Sequence, residues 1–465
     1  MREYKRYKEY KESGIEWIGE IPKKWERNRI KYFAEPIGGY PFNSDLFTND
    51  DNDGFPLLRI RNILDQEIKT YYSGKIIKEA LINNDEILIG MDGDFNICWW
   101  NNGKALMNQR VCKMNISKNV NKKFLYYTMR FPLKQINDIT YYTTVKHLSL
   151  DQVNNIYFAI PSLEEQQKIV SFLDQKTDEI DEIITKKEIL IDYLEKYKKS
   201  VITEAVTKGK LGDKYLSEDG KLVDEIEMKD SGVEWIGKIP EFIDAVKIKR
   251  LTQIKRGASP RPIDNPIYFD DKGEYSWVRI SDVTRSDDYL LDTEQTLSKL
   301  GASKSVKMDK GDIFLSIAAT VGKPIITKIK CCIHDGFVYF PEYNENKKFL
   351  FYIFKSEQPY RGLGKHGTQI NLNTTIVGDI KIPYFKKSNQ EKIAIYLDQK
   401  TKQIDNLIQK TKESIEKYKE YKKSLIFEAV TGKIDLRDYE LEGGEELAEH
   451  NNSSETKREC LSAVN

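Results

Sequence analysis

Gly362-Leu-Gly-Lys-His-Gly367 has the G-x-G-x-x-G spacing with which a glycine loop brings backbone N–H groups against a pyrophosphate. That chemistry needs an apolar strand ahead of the loop and a βαβ unit around it, whereas Gln358-Pro359-Tyr360-Arg361 precedes it here. The alternative is a glycine loop that lets backbone approach a phosphate without any nucleotide pocket. Gly322-Lys323 lacks both the earlier glycine and the following hydroxyl of a G-x-x-x-x-G-K-[ST] loop, so ATP hydrolysis by this chain is not expected. His147, His334, His366 and His450 are scattered, and none pairs with another at metal-ligand spacing. His334 lies two residues from Cys332, a spacing met more often in packing than in ligation. No metal site and no catalytic group is assigned.

Asn265-Pro266-Ile267-Tyr268 is similar to the Asn-Pro-Pro-Tyr motif with which amino-methyltransferases hold the amine of a target base. The second proline is missing and no glycine-rich cofactor loop follows an upstream strand, so a proline turn stands as the alternative. Residues suited to nucleic acid are more numerous. Arg59 and Arg61, and later Arg256, Arg261 and Arg279, occupy or flank strand and turn positions. A guanidinium placed there can fork onto guanine O6 and N7 or onto a phosphate. Asn96, Asn108, Gln109, Gln369 and Asn371 have side-chain amides that can pair with both N6 and N7 of adenine. Arg110, Lys146, His147, Lys323 and Lys365 complete the set of candidate DNA contacts. At each position a solvated surface group or a turn residue is the competing reading. Lys196, Lys198 and Lys199, matched in part by Glu420, Lys422 and Lys423, are a solvated face first and phosphate contacts second.

These residues sit in a chain of 465 residues with 74 Lys and Arg against 73 Asp and Glu, a net charge of +1, and 39% apolar residues. Such a balance excludes a wholly disordered chain, and it removes any argument from global basicity to nucleic acid. The length suggests about three domains of ~150 residues. Cys98, Cys112, Cys331, Cys332 and Cys460 show neither framework spacing nor a C-x-x-C pair, which points to a reducing compartment. No apolar signal-like stretch opens the chain, and none reaches the roughly 18 residues of a membrane span. The expectation is a cytoplasmic protein without membrane association.

The positioning elements come in duplicate. Lys11-Glu-Ser-Gly-Ile-Glu-Trp-Ile-Gly-Glu-Ile-Pro22 recurs as Lys229-Asp-Ser-Gly-Val-Glu-Trp-Ile-Gly-Lys-Ile-Pro240. Leu58-Arg59-Ile60 matches Val278-Arg279-Ile280, Glu86-Ile87-Leu88 matches Asp312-Ile313-Phe314, and Phe172-Leu-Asp-Gln-Lys-Thr177 returns as Tyr396-Leu-Asp-Gln-Lys-Thr401. A period of about 220 residues with little drift means two copies of one module, too long for a solenoid repeat. In each copy a stretch of short alternating runs broken by Gly, Asn, Asp and Pro reads as a mixed α/β (α+β) domain. The framework agrees between copies while the connecting loops differ, as expected of two recognition domains with different targets.

A helix follows each. Leu163 to Val206 lacks Pro and Gly, and Leu173, Ile180, Ile184, Ile191, Leu194 and Val201 recur at spacings of 3, 4 and 7. Leu397, Ile404, Ile408, Ile415, Tyr418 and Leu425 repeat the stripe from Ser388 to Val430. Pro161 and Pro383 precede these helices and Gly209 and Gly432 follow them. Roughly 44 residues make a rod of about 66 Å, too long to bury in one small domain, so the two stripes are expected to pack together as an antiparallel coiled coil. Two separate surface helices are the alternative. The resulting division is 1–162, a first globular domain; 163–210, a central helix; 211–386, a second globular domain; 387–434, a distal helix; and 435–465, an acidic, Asn- and Ser-rich tail expected to be disordered.

The combination resembles the specificity subunit of type I restriction-modification enzymes. The likeness rests on the paired Ser-Gly-[IV]-Glu-Trp-Ile-Gly-x-Ile-Pro segments (Ser13 to Pro22, Ser231 to Pro240), the paired [FY]-Leu-Asp-Gln-Lys-Thr helix openings, and the [ST]-x-x-x-Glu-Ala-Val-Thr endings at Ser200 to Thr207 and Ser424 to Thr431. Thr144-Val-Lys-His-Leu-Ser-Leu150, leading to Pro161 and Glu164-Glu-Gln166, resembles the family's passage from recognition domain into helix. The second copy departs there: Asn371 stands for His147, and Asn389-Gln390-Glu391 replaces Glu164-Glu165-Gln166. The likeness covers roughly residues 11 to 434.

The resemblance implies a non-catalytic adaptor in which each target-recognition domain reads one half of a bipartite double-stranded DNA site. The paired helices would set the gap and dock two methyltransferase subunits. Those partners would use S-adenosylmethionine, and a separate motor-nuclease (restriction) subunit would use ATP and magnesium, so this chain would bind no cofactor. Two rival classes remain open: a self-sufficient DNA methyltransferase or nuclease built on the Asn265 turn, and a coiled-coil scaffold that does not bind DNA.

Overall fold

The computed structural model describes residues 4–117, 119–139, 146–360 and 372–440. Lys365, Gln369 and Asn371, the glycine loop at 362–367, His450, Cys460 and the tail beyond 440 lie outside the described residues. Two units share the chain: Met1–Lys186 with Ser414–Asn465, and Lys187–Glu413.

In the first unit, strands β1 (Ala34–Gly38), β2 (Phe55–Leu58), β3 (Glu86–Gly90), β4 (Ile97–Trp100), β5 (Ala105–Met107) and β6 (Val111–Ile116) build two sheets. One is antiparallel in the order β4-β3-β6-β1, with Cys112 facing both Ile89 and Gly38. The other centres on a parallel pair, β2 and β5, in which Leu57 faces Leu106 and Leu58 faces Met107. Ile87, Leu88, Ile89 and Gly90 are all buried, as expected of a strand covered on both faces. Leu58, Leu88, Trp100, Met107 and Val111 form the core. Helix α1 (Lys122–Ile139) follows.

The same frame recurs in the second unit as β7 (Lys255–Arg256), β8 (Tyr275–Val278), β9 (Ile313–Ser316), β10 (Pro324–Thr327), β11 (Cys331–Ile333) and β12 (Phe337–Tyr339). One sheet runs antiparallel through β7-β12-β9-β10 and adds Tyr289–Leu290 in parallel with β10, while β8 pairs in parallel with β11, Val278 facing Ile333. Val278, Phe314, Ile325, Ile333 and Phe337 fill its core.

The long helices are α2 (Leu163–Lys208), of 46 residues, and α4 (Lys387–Val430), of 44; the shorter α3 (Lys347–Lys355) lies between them in sequence. In the second unit Ile191 and Leu194 of α2 cluster with Ile404 and Ile408 of α4, and Lys198 Nζ pairs with Asp405 at 2.6 Å. In the first unit Lys422 pairs with Asp181. From one ion pair to the other the residue number rises on α2 and falls on α4, the antiparallel sense. Leu173, Ile180, Ile184, Leu194, Leu397, Ile404, Ile408, Ile415 and Leu425 are buried, while Ile191, Val201 and Tyr418 are half-buried. Leu397 also belongs to the second unit's large core with Phe349, Phe354, Ile202 and Val206, so the stripe serves the globular domain as well as the helix pair.

The repeated motifs are fasteners. Ser13 N donates to Gly19 O at 3.0 Å while its hydroxyl accepts from Ile15 N at 3.0 Å. Ser231 does the same with Gly237 and Val233 at 3.0 and 3.2 Å. The loop so closed presents Trp17, which stacks on Phe131 of α1 at 6.1 Å beside Phe427 of α4. At the entry to α2, Gln166 accepts from Asn121 N at 2.8 Å and donates to Pro161 O at 3.0 Å. Gln390 accepts from Asn346 N at 3.1 Å and donates to Phe385 O at 2.8 Å. The glutamine is therefore retained in the second copy, one place earlier than a residue-for-residue reading of Asn389-Gln390-Glu391 against Glu164-Glu165-Gln166 places it.

Candidate nucleic-acid interface

Because β2 and β5 run parallel, their carboxyl ends leave the sheet on one side, the edge where open α/β sheets place ligands. Asn108 N donates to Leu58 O at 3.1 Å, which ties the two exits together. The chain leaving β1 crosses to the same place: Gly39 N donates to Val111 O at 2.8 Å and Tyr40 N to Met107 O at 3.0 Å. A Cβ at Gly39 would stand 2.2 Å from Asn108 O, so only glycine permits this backbone approach. Met91 N donates to Arg110 O at 2.9 Å, and Gly93 N to Lys146 O at 3.2 Å, adding the loop after β3 and the segment before Leu148.

The second unit repeats the construction with different residues. Gly257 N donates to Phe337 O at 2.9 Å and Ala258 N to Ile333 O at 3.1 Å, and a Cβ at Gly257 would lie 2.2 Å from His334 O. Ile317 N donates to Gly336 O at 2.9 Å. The matched turns are therefore Asn108-Gln109-Arg110 and His334-Asp335-Gly336. Arg59 and Arg279 also match: each precedes a short helix, and its N–H donates to the third residue on, Asn62 Oδ1 at 3.2 Å or Asp282 Oδ2 at 2.9 Å.

The sequence candidates divide by what their side chains already do. Asn108 Oδ1 accepts from Gln109 N at 2.7 Å, a turn duty. Lys323, which matches Asn96 through Ser316 N→Lys323 O at 3.0 Å and Gly90 N→Asn96 O at 2.8 Å, donates to the carbonyls of Thr284 and Ser286 and so caps the helix Ile280–Arg285. Burial lowers its pKa. Lys146 donates to Asn137 O and Oδ1 at 2.8 and 2.9 Å, and Arg61 Nη2 to Thr70 Oγ1 at 3.3 Å. Arg59 is half-buried above the Phe47 ring. Gln109, Arg110, His147, Arg256, Arg261 and Arg279 are exposed.

One carboxylate organises each loop cluster, Asp92 in the first unit and Asp335 in the second. Asp92 lies 2.7 Å from His147 Nδ1 and 3.2 Å from Arg110 Nε. Asp335 accepts from Ser259 Oγ at 3.1 Å and from Arg261 Nη2 at 3.1 Å, while its carbonyl receives Arg256 Nε. His334 turns inward against Phe337 at 4.5 Å, and its Nδ1 accepts from Gly336 N at 2.8 Å. Burial, with Arg256 and Arg279 adding to it, lowers the imidazole pKa against the pull of Asp335.

Asn265, weighed for holding a base amine, has a structural post. Asn265 Oδ1 accepts from Ile267 N at 3.1 Å and caps the turn Pro266–Tyr268. Cys98, Cys112, Cys331 and Cys332 are buried, and burial pushes the first three thiols up to about 12 and the last to about 11. Among the described residues no three His, Cys, Asp or Glu side chains are grouped to hold a metal, and no helix is long and apolar enough to cross a membrane.

Comparison with known proteins sets this surface in a family. The type I restriction modification DNA specificity domain matches twice, at residues 22–193 and 240–417. The chain is 35% identical over 201 residues to the EcoBI specificity subunit of Escherichia coli, a match spanning 43% of this chain but only 42% of that subunit. It is 25% identical over 437 residues to the MjaVIII specificity subunit of Methanocaldococcus jannaschii, covering 90% of this chain and 95% of that one. In fold it is similar to a solved chain of a type I R-M system studied for its complex assembly and conformational transition (TM-score 0.68, 16% identity, 89% of this chain and 99% of that one). It is also similar to the HsdS subunit of Thermoanaerobacter tengcongensis (TM-score 0.51, 17% identity, 89% and 98%). With two domain matches that take in most of both globular domains and of both long helices, the chain belongs to the type I restriction modification DNA specificity family.

Proposed function

We propose that this chain is the sequence-reading subunit of a type I restriction-modification complex, with each globular domain reading one half of an interrupted duplex site. The observation that carries this reading is the pair of matched turns: one backbone frame presents Asn108-Gln109-Arg110 in one unit and His334-Asp335-Gly336 in the other. A shared scaffold with different reading residues gives an asymmetric bipartite site. Affinity comes in large part from phosphate contacts and falls with salt.

The helix pair sets the gap between halves and carries two copies of a methyltransferase subunit, with restriction subunits joining the same assembly. The chain supplies recognition and no catalytic group. S-adenosylmethionine, ATP and magnesium belong to its partners, and the complex works in the cytoplasm. Lys365, Gln369 and Asn371 remain candidate contacts of the second half.

Replacing residues 245–385 by the matching segment of a relative with another target, in the assembled complex, tests the assignment. One half of the methylated motif should change and the other persist. A change in both halves, or in neither, contradicts it.

A further inference from the structure

A carboxylate on a surface that meets phosphates is unfavourable for backbone binding, because it repels the polyanion it faces. Asp92 and Asp335 nonetheless stand at the centre of the two matched loop clusters. They do so from different places: Asp92 follows β3, where the second unit has Ala318, and Asp335 follows β11, where the first unit has Gln109. Neither is part of the shared frame, so neither is needed to build the two sheets of its unit. What they share is what they hold.

Asp92 holds Arg110 with its carboxylate 3.2 Å from Nε, and Met91 N fixes the Arg110 carbonyl. The Arg110 side chain is 53% exposed, which leaves the guanidinium open to a ligand. Asp335 holds Arg261 through Nη2 and is braced by Ser259; the Arg261 side chain is 72% exposed. An exposed ion pair contributes little to stability. A guanidinium held on one side, however, loses less rotamer freedom when the rest of the fork meets a planar pair of acceptors, and the commonest such pair in a major groove is guanine O6 and N7.

We propose that Asp92 and Asp335 are positioning residues that aim Arg110 and Arg261 as the guanine-reading forks, one in each half-site. This rests on the recognition function proposed above. The two forks are different residues at different loop positions, so the guanine each reads occupies a different place within its half-site.

The test is methylation mapping of genomic DNA from a host without adenine methylation, expressing the chain together with its methyltransferase partner. Asp92→Ala and Arg110→Lys should relax the same G·C pair in one half-site, with discrimination there falling about tenfold or more and the other half-site unchanged. Asp335→Ala and Arg261→Lys should relax one pair in the opposite half, and Asp92→Glu should restore most of the lost discrimination. The untouched half-site is an internal control that a folding defect would not respect. If Asp92→Ala abolishes methylation altogether, Asp92→Glu and Arg110→Lys decide by the same criterion. Unchanged preferences, relaxation at different pairs by Asp92→Ala and Arg110→Lys, or equal loss in both halves overturns the proposal. A wild-type complex that yields no interrupted motif instead overturns the recognition function itself.

Discussion

Tyr127 donates its hydroxyl to Asp174 at 2.7 Å, and Tyr352 donates to Asp398 at 2.9 Å. Each aspartate is the acid of the repeated Leu-Asp-Gln-Lys-Thr motif, and each also receives a lysine, Lys123 or Lys348. The motif thus ties α1 to α2 in the first copy and α3 to α4 in the second. Asp174→Ala takes the closer partner from a buried hydroxyl and leaves it Thr177 Oγ1 at 3.4 Å, at a cost of about 1–3 kcal/mol. For a unit of this size that lowers the thermal midpoint by about 2–4 °C per kcal/mol, measurable by calorimetry. An unchanged midpoint would show that the tie carries no stability.

Gly39 and Gly257 are predicted to be intolerant of a side chain. Alanine at either position forces backbone apart at a 2.2 Å approach, which should destabilise its unit by about 2 kcal/mol or more and displace the matched turn. Denaturant unfolding of Gly39→Ala, with Gly38→Ala as a control whose Cβ would meet only Leu150 Cδ1 at 3.6 Å, checks it.

The second unit should lose stability in mild acid. His334 has a folded pKa below 6.5 because burial disfavours its charge. Below the unfolded value the unfolded chain takes up a proton that the native chain refuses, so stability is full above about 6.5 and falls as pH drops from there towards the lower folded pKa. His334→Asn, which installs the residue found at the matching position of the first unit, should flatten the midpoint between pH 7.5 and 5.5. Equal slopes for wild type and variant would place the pH dependence elsewhere.

The rods predict a ruler. Four residues inserted near Thr185 in α2, with a matching insertion in α4, add about 6 Å, close to two base pairs of duplex. The gap in the methylated motif should lengthen by about two. A gap that stays fixed removes the helix pair from the role of spacer.

What the sequence makes legible follows from how locally each feature is encoded. The duplication and the long helices read directly, because Leu58-Arg59-Ile60 and Val278-Arg279-Ile280 mark the same cap and the apolar stripes run through segments free of Pro and Gly. The loop cluster does not read directly. Asp92 meets Arg110 and His147 only because a strand hairpin and a distant segment converge, and a carboxylate attracts no notice in a search for DNA contacts. Lys323 reads as a phosphate contact from its type alone, yet its ammonium is spent on helix carbonyls that lie 37 and 39 residues away in sequence. Gln390 shows the same limit: its post is defined by Asn346 N and Phe385 O, so the match to Gln166 emerges from hydrogen bonds and not from the neighbouring letters.

The most direct test of the central claim is single-molecule mapping of adenine methylation in a host lacking it, with this chain expressed alone, its methyltransferase partner expressed alone, and the two together. The account predicts an interrupted, asymmetric motif only when both chains are present. Methylation by this chain alone would make it an enzyme, and a folded two-chain complex that methylates no discrete motif would contradict its role as the reader of sequence.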